Sequence, residues 1–405
     1  MLVIVAPGQG AQVPGFLSAW LELPGVPTEL AAWSELAGRD LARLGSTADA
    51  DEIRDTATAQ PLLVAAAMAA AGALFGHIEE AWRLSGAVAG HSVGELAAGA
   101  IAGVVSPDDA MRLVRVRGEA MARAAATEQT GMTAILGGEE QAVLAAMRAN
   151  GLTPANVNSA GQIVAAGTEK QLDALAADPP AGTRLRPLQV AGAFHTHHMA
   201  PASAALRQAA AGITASDPRT TLLSNLDGTA VRTGAEWLER IVTQVSEPVR
   251  WDACMRTLAG LGASAIIELP PAGTLTALAR RALPGAALLA LKSPAELDAA
   301  RSLVAAHAVH TASDTPEWRL LVAPLGGTFR AEPGMIGNHA ALDSEGDARV
   351  ARVRAGAEIG HVDARGSKHP VLAPCAGHVL EWLADDEDPV SAGQPLVRLQ
   401  PKTAE

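Results

Sequence analysis

The 405-residue sequence predicts an α/β protein followed by a separate all-β domain. Three observations support this fold class. Up to residue 307, short apolar runs alternate with helical stretches rich in Ala, Leu and Arg, as in proteins with a parallel sheet. From about 126 to 191 the elements follow the order of a small α+β subdomain. From 317 to 402 the helical period disappears, and short alternating runs are separated by Gly, Pro and Asp turns.

Composition and charge narrow the class of protein. Hydrophobic residues make up 49% of the chain and charged residues 18%, which is typical of a globular protein. The net charge of -12 and the lack of a Lys/Arg run argue against a nucleic-acid partner. MLVIVAPGQG lacks the basic segment of a signal peptide, and the apolar region 62–76 is short for a membrane span and predicts a buried helix, so we expect no membrane association. The two cysteines, Cys254 and Cys375, lie far apart, which fits a reducing cytoplasm.

Apolar runs and capping residues place the individual elements. Three strands of the main sheet are predicted at 2–6, 87–89 and 265–269. Ser106, Pro107 and Asp109 supply an N-cap, a first-turn proline and an N3 acid, so a helix should run from there through Met121. The small subdomain is predicted in the order β-α-β-α-β, with strands at 132–136, 162–166 and 184–190 and helices at 139–150 and 170–177.

The carboxyl-terminal part contains an internal echo. After a polar linker at 308–316, APLGGTF from Ala323 is answered by APCAGHV from Ala373, and AGAEI from Ala355 by AGQPL from Ala392. Matching signals in two halves predict a flattened barrel of two interlocked, similar sheets. The alternative is a coincidence in a chain rich in Ala and Gly.

The hexapeptide GHSVGE at 90–95 points to a nucleophile. A short apolar run precedes it and an Ala-rich helical stretch follows, so Ser92 should lie on a strand-turn-helix elbow. Gly90 and Gly94 keep side chains out of this turn, and the serine hydroxyl then projects into a cleft at the helix N-terminus. The alternative is a chance match in a Gly-rich chain.

A serine hydroxyl needs a base at neutral pH, and His195 is the best candidate among the 11 histidines. It follows a predicted strand that ends at Val190 and lies in a Gly/Ala-rich loop. His195, His197 and His198 could instead form a metal site. No carboxylate or cysteine lies near them in the sequence, so we expect no metal.

The segment PGQGAQ at 7–12 follows the first predicted strand. It fails as a dinucleotide-binding loop, because the third glycine of GxGxxG would fall on Val13. Glycines on both sides of Gln9 would let its backbone N–H approach a ligand oxygen. Together with the N–H of Val93, it would form an oxyanion hole.

Arg117 lies on an otherwise apolar stripe of the helix that starts at Ser106, with Ala110, Val114 and Met121. A guanidinium that faces a core needs a partner, and its planar fork suits a carboxylate. From the pattern alone, a carboxylate of the substrate and a structural salt bridge are equally good partners.

GHSVGE, PGQGAQ, GAFH and the RVRG that contains Arg117 together resemble the malonyl-CoA:acyl-carrier-protein transacylase family. Further matches follow in family order over about residues 1–300, at TAQP, NVNSAGQIVAAG, SNLDG, QVSEPVRW and ELPPAGTL. The resemblance implies a hydrolase-like large subdomain with an inserted ferredoxin-like small subdomain. It also implies a ping-pong transfer of malonyl from coenzyme A to the phosphopantetheine thiol of an acyl carrier protein, for fatty-acid or polyketide synthesis.

The same resemblance implies a role for each matching residue. Ser92 would be acylated, and His195 would act first as base and then as acid. Arg117 would pair with the free malonyl carboxylate. The remaining roles are the oxyanion N–H groups of Gln9 and Val93, the orientation of His195 by the backbone carbonyl of Gln244, and selection of malonyl by Phe194.

Residues 317–402 resemble a biotinyl/lipoyl carrier domain, through VRAGAEIGHVDARGSKHPVLAP. That family presents a modifiable lysine at a hairpin tip, in EAMKM. Here the aligned pentapeptide is DARGS, with Gly366 at the lysine position, and Lys368 lies two residues on, roughly 7 Å along the strand. We therefore expect a barrel-sandwich hybrid fold without bound biotin or lipoate.

Two other functions use the same residues. An acyl-carrier-protein thioesterase would share the elbow, the base and the oxyanion hole, but would have no use for Arg117 when it edits short unsubstituted acyl groups. Alternatively, the chain is a scaffold whose carboxyl-terminal domain docks a carboxylase or synthase. A complete catalytic set argues against that as its sole role.

Overall fold

The computed structural model describes residues 1–307, 319–332, 352–364, 366–374 and 376–401. The chain divides into two compact units, Met1–Val309 and His310–Glu405. The predicted linker at 308–316 lies outside the described residues, as does Cys375.

The first unit contains two sheets. In chain order its strands are β1 (Leu2–Ala6), β2 (Ala87–Gly90), β3 (Thr130–Gly137), β4 (Thr153–Ser159), β5 (Gln162–Thr168), β6 (Thr183–Pro187), β7 (Thr221–Leu223), β8 (Ala230–Val231), β9 (Ala265–Glu268) and β10 (Ala287–Ala290). The main sheet has the order β10-β9-β1-β2-β7-β8, and all its pairs are parallel except β7 with β8. The expected α/β fold with a parallel sheet is thus confirmed.

Successive side chains of the main sheet belong alternately to two separate hydrophobic cores. Helices therefore pack on both faces of this sheet. The helices of this unit are α1 (Val26–Ala37), α2 (Leu41–Ser46), α3 (Ala50–Arg54), α4 (Thr56–Phe75), α5 (Ile78–Leu84), α6 (Gly94–Ile101), α7 (Pro107–Ala125), α8 (Glu140–Ala149), α9 (Glu169–Ala177), α10 (Ala200–Ala210), α11 (Gly234–Gln244), α12 (Trp251–Gly260), α13 (Thr274–Ala282) and α14 (Leu297–His307).

Helix α4 starts six residues before the predicted 62–76. Asp55 caps it, since the Thr58 N–H donates to Asp55 Oδ1 at 3.0 Å. The intervening threonines and Pro61 are poor helix formers, which hid this start in the sequence. At 20 residues α4 is long and apolar enough to cross a membrane, but 83% of its most apolar stretch is buried inside the molecule. It is therefore a core helix, as its composition indicated.

Helix α7 begins as predicted and ends four residues beyond Met121. The Asp109 N–H donates to Ser106 Oγ at 3.0 Å, which is the expected cap. The stripe that contains Arg117 faces the interior along its whole length.

The small subdomain has one strand more than predicted. Its four-stranded antiparallel sheet has the order β4-β5-β3-β6. Strand β4 was missed because Pro154, Asn156 and Asn158 are poor strand formers, and the β4–β5 register shifts twice. With β4 the order becomes β-α-β-β-α-β, that of the ferredoxin-like motif. Strand β6 ends at Pro187, three residues before the predicted 190.

The described residues of the second unit form two four-stranded antiparallel sheets. Its strands are β11 (Arg319–Val322), β12 (Gly327–Ala331), β13 (Arg352–Val353), β14 (Glu358–Ala364), β15 (Ser367–Leu372), β16 (Gly377–Trp382), β17 (Pro389–Val390) and β18 (Pro395–Pro401). The orders are β11-β18-β16-β13 and β15-β14-β12-β17, and apolar side chains of both sheets form one core.

The internal echo of the sequence maps onto these two sheets. APLGGTF leads into β12 and APCAGHV into β16, and both strands are third in their sheets. AGAEI leads into β14 and AGQPL into β18, and both are second. The two sheets therefore repeat each other strand for strand.

Candidate active site

Strand β2 runs into helix α6 through a tight turn that carries Ser92. A Cβ atom on Gly90 would lie 2.0 Å from the carbonyl carbon of Gly94, and one on Gly94 would lie 2.3 Å from the carbonyl oxygen of Ala6. Only glycine fits at these two positions. Ser92 itself has a φ of 54°, in the left-handed region that side chains other than glycine rarely adopt. This is the geometry of a nucleophile elbow.

Ser92 and His195 are hydrogen bonded. Ser92 Oγ lies 2.8 Å from His195 Nε2, and His195 Nδ1 lies 2.9 Å from the backbone carbonyl oxygen of Gln244. Because a carbonyl only accepts, the imidazole proton is on Nδ1, and Nε2 can accept the hydroxyl proton of Ser92. The side-chain Nε2 of Gln244 also lies 3.1 Å from Nδ1. Two donors cannot share a hydrogen bond, so with this tautomer the side-chain amide forms a bond to Nδ1 only when it is turned to place its oxygen there.

His195 is held in the neutral form. The pKa of this imidazole is lowered to about 3, mainly by burial and in addition by the nearby guanidinium of Arg117. The histidine is only 3% exposed and has a φ of 60°, so it shares the left-handed conformation of Ser92. At neutral pH it is an uncharged base directed at the serine hydroxyl.

Arg117 lies inside the same pocket. One guanidinium nitrogen donates to Gln60 Oε1 at 2.7 Å, and another donates to Ser92 Oγ at 3.1 Å. Burial lowers the pKa of Arg117 to about 10, which still leaves it a cation at neutral pH. None of the salt bridges between described residues involves Arg117. The structural salt bridge that the sequence left open is therefore not what holds this residue.

The loop after β1 packs closely on the elbow. A Cβ atom on Gly8 would lie 2.9 Å from the carbonyl oxygen of His91, so the backbones of the two loops are in contact. The Gln9 side chain points away and donates to the carbonyl oxygen of Arg54 at 3.0 Å. Among the described backbone hydrogen bonds, neither the Gln9 N–H nor the Val93 N–H has an acceptor. This is compatible with the predicted role of the two N–H groups as donors to a ligand oxygen.

The other residues considered in the sequence, Phe194, His197 and His198, lie close to His195 in the chain. Phe194 is buried in the main core, next to His195. His197 and His198 stack on each other, and His198 Nδ1 lies 3.0 Å from a carboxylate oxygen of Glu128. A carboxylate thus approaches these histidines in space, although none is near in sequence. The described residues contain no group of three or more His, Cys, Asp or Glu side chains that could hold a metal ion.

Two buried side chains at this site were not singled out from the sequence. Gln60 accepts from Arg117, and its amide nitrogen lies 3.3 Å from Met121 Sδ. Asn225 Oδ1 accepts the backbone N–H of Ser92 at 2.7 Å. Their only sequence signal was membership of the TAQP and SNLDG segments.

An elbow serine bonded to a buried neutral histidine, on a mainly parallel sheet, defines a Ser–His site of the kind that forms acyl esters. The family model for the acyl transferase domain matches residues 4–309. The chain belongs to this family and is an acyltransferase.

One relative of known sequence and two solved structures show how close the similarity is. The malonyl CoA-acyl carrier protein transacylase of Mycobacterium tuberculosis H37Rv is 54% identical over 303 residues, which cover 74% of this chain and 98% of the relative. A crystal structure of MCAT from Mycobacterium tuberculosis is 53% identical, with a TM-score of 0.72, and covers 74% of this chain and 99% of that one. A structure of a type II PKS acyl-carrier protein in complex with its malonyl-transacylase is 29% identical, with a TM-score of 0.68, and covers 75% and 99%.

Proposed function

We propose that this chain transfers malonyl from malonyl-CoA to the phosphopantetheine thiol of an acyl carrier protein. The observation that carries the proposal is the buried guanidinium of Arg117, 3.1 Å from Ser92 Oγ and without a carboxylate partner among the described residues. A substrate that brings its own carboxylate to the serine would pair with it. The names of the similar proteins, and the acyl carrier protein in one of the structures, support this donor and acceptor.

The reaction has two matched halves. Ser92 Oγ attacks the malonyl thioester carbon while His195 Nε2 takes the hydroxyl proton, and the N–H groups of Gln9 and Val93 stabilise the oxyanion. The C–S bond then breaks, and His195 returns the proton to the coenzyme A sulfur. In the second half the carrier thiol gives its proton to His195 as its sulfur attacks the ester carbon. The C–O bond to Ser92 then breaks, and His195 returns the proton to Ser92 Oγ. The cycle uses no further cofactor.

Intact mass spectrometry tests the proposal directly. The protein is incubated with malonyl-CoA or acetyl-CoA and a pantetheinylated carrier protein. We expect malonyl to appear on the carrier, with little transfer of acetyl. Free malonate without a loaded carrier would instead indicate a thioesterase, and no reaction would favour a scaffold.

Acylation of Ser92 by malonyl-CoA should be nearly independent of pH between about 5 and 7. The lowered pKa of His195, about 3, keeps the base neutral down to pH 5, whereas an ordinary histidine would be about 97% protonated there. Burial raises the pKa of Glu95 to about 8, so this carboxyl stays mostly protonated over the same range. Rapid-quench measurement of the first turnover checks this. A tenfold or larger fall at pH 5, with the circular dichroism spectrum unchanged, would contradict it.

We propose in addition that residues 317–402 form a barrel-sandwich hybrid domain of the biotinyl/lipoyl type that carries no cofactor. The repeated sheets and the β14–β15 hairpin support this fold. Ala364 pairs with Ser367, so Gly366 lies in the turn, where it has a φ of 83°. Lys368 pairs with Asp363 within the strands. A ligase needs an amine at the tip, and Lys368 is not there.

Removal of the second unit by a stop codon after His310 should leave malonyl transfer to a free carrier protein intact. The unit boundary at Val309 and the family match up to residue 309 support this expectation. The truncation should weaken association with any carboxylase or synthase that this domain docks. Loss of transfer by a folded truncated protein would contradict it.

Coexpression with biotin and lipoyl ligases should return the bare mass of the full chain. A matched Gly366→Lys variant restores an amine at the hairpin tip and is the positive control. A biotin or lipoyl adduct on Lys368 would contradict this proposal and make the domain a cofactor carrier.

We place the protein in the cytoplasm, where malonyl-CoA and its carrier proteins meet.

A further inference from the structure

Asn225 is a fully buried residue whose side chain bonds the two peptide groups that lead into the nucleophile. It follows β7, which lies beside β2 in the parallel sheet, so the loops at their carboxyl ends are adjacent. Asn225 Oδ1 accepts the Ser92 N–H at 2.7 Å, and Nδ2 donates to the carbonyl oxygen of Gly90, also at 2.7 Å. One amide therefore joins the two peptide groups that flank His91, directly before the Ser92 Cα.

The backbone of Asn225 is fixed as well. Its N–H donates to Glu95 Oε1 at 2.9 Å, and its carbonyl oxygen accepts from the Arg250 N–H at 2.7 Å. Glu95 belongs to the first turn of α6, directly after the elbow, and is itself buried. Helix α6, which follows Ser92, thus fixes Asn225 through Glu95, and Asn225 in turn bonds the Ser92 N–H.

We propose that Asn225 is a positioning residue for acyl transfer, which keeps Ser92 in its left-handed conformation by bonding the Ser92 N–H and the Gly90 carbonyl. A left-handed serine is a strained state that persists only where its surroundings over-determine it. Without the amide, the Ser92 N–H would lose its acceptor, and relaxation of the turn would move Oγ away from His195 Nε2. The proposal depends on the assignment of Ser92 as the acylated nucleophile.

The test measures how fast Ser92 reacts with a fluorophosphonate, followed by intact mass. This probe reacts with the serine and its base and needs no malonyl group. An error in the proposed acyl donor would therefore leave the labelling rates unaffected, whereas an error in the role of Asn225 would show in them. Asn225→Ala should label about 10 to 100 times more slowly, the scale of a misplacement of about 1 Å. The malonyl-CoA concentration for half-maximal transfer should change by no more than about twofold, since uniform binding is untouched.

A matched control separates positioning from loss of stability. Glu268 is another buried side chain of the main sheet, and its carboxylate accepts from the N–H groups of Gly273, Leu275 and Thr276. Glu268→Gln should lower the melting temperature and leave the labelling rate of the folded protein unchanged.

Asn225→Asp supplies a conservative rescue. Its ionised form keeps the acceptor for Ser92 N–H but repels the Gly90 carbonyl, whereas a protonated carboxyl reproduces both bonds of the amide. Burial should raise the pKa of the new carboxyl, so labelling should be slow at pH 8 and recover as the pH falls to about 5.5. Glu95 and Cys254 contact Asn225, and Arg117, Arg240, Asp227 and Asp252 are the charged neighbours of these two.

The wild-type protein contains all of these neighbours, so its pH profile is the reference for the new carboxyl. Recovery relative to that profile supports the proposal. A wild-type labelling rate in Asn225→Ala, or slow labelling in Asn225→Asp that does not recover with falling pH, would overturn it.

Discussion

Ser92→Ala is expected to abolish the malonyl adduct that the wild-type protein forms on brief exposure to malonyl-CoA. The hydroxyl is the only nucleophile that the elbow directs at His195, 2.8 Å away. His195→Ala should retain the serine but slow its acylation by about two to four orders of magnitude, the usual effect of a lost general base. Intact mass at timed intervals measures both variants.

His197→Ala provides the control for this pair, because its ring stacks on His198 rather than facing the serine. It should acylate at close to the wild-type rate. An adduct that persists in Ser92→Ala would remove the assignment of the nucleophile, and a near-normal rate in His195→Ala would mean that the base lies elsewhere.

Arg117→Ala is expected to reduce malonyl transfer by roughly 2 to 5 kcal/mol in transition-state free energy, the range for breaking a desolvated charge pair from one side. This corresponds to a rate lower by about thirty-fold to several thousand-fold. Transfer of acetyl, which has no carboxylate, should hold steady or rise. The ratio of the two rates, measured on the same carrier protein, is the quantity to compare.

Arg112→Ala on the same helix is the matched control for Arg117. Arg112 is half exposed and pairs with Asp109 on the surface, so its loss should leave both rates unchanged. If malonyl and acetyl transfer fall equally in Arg117→Ala, Arg117 supports the fold of the pocket and does not select the substrate.

Local sequence patterns predicted those elements whose residues have an intrinsic preference for the structure they adopt. The elbow, the cap of α7 and the main strands follow from glycine spacing, capping residues and apolar runs. Strand β4 did not follow, because its proline and asparagines disfavour a strand and its pairing with β5 overrides that preference. Tertiary pairing of this kind leaves no local signal.

Long-range contacts also limited what the sequence could predict about the active site. Helical periodicity placed Arg117 on a buried face, but could not say what it touches. The choice between a structural salt bridge and a substrate carboxylate depended on which acids reach it in space. Gln60 and Asn225 are ordinary amides in the sequence, and only the packing of α4 and the β7 loop against the elbow gives them partners. Long-range contacts of neutral side chains carry no periodicity and no charge pattern.

The strand-for-strand repeat of the second unit bears on how that unit can be tethered. In one half, β14 and β15 are joined by the closed turn that contains Gly366. In the other half their counterparts are β18 and β11, which pair side by side but are the last and first of the strands that the structure describes in this unit. The chain thus enters and leaves where the other half has a hairpin loop. A tether attached at this position therefore does not interrupt the strand pairing of either sheet.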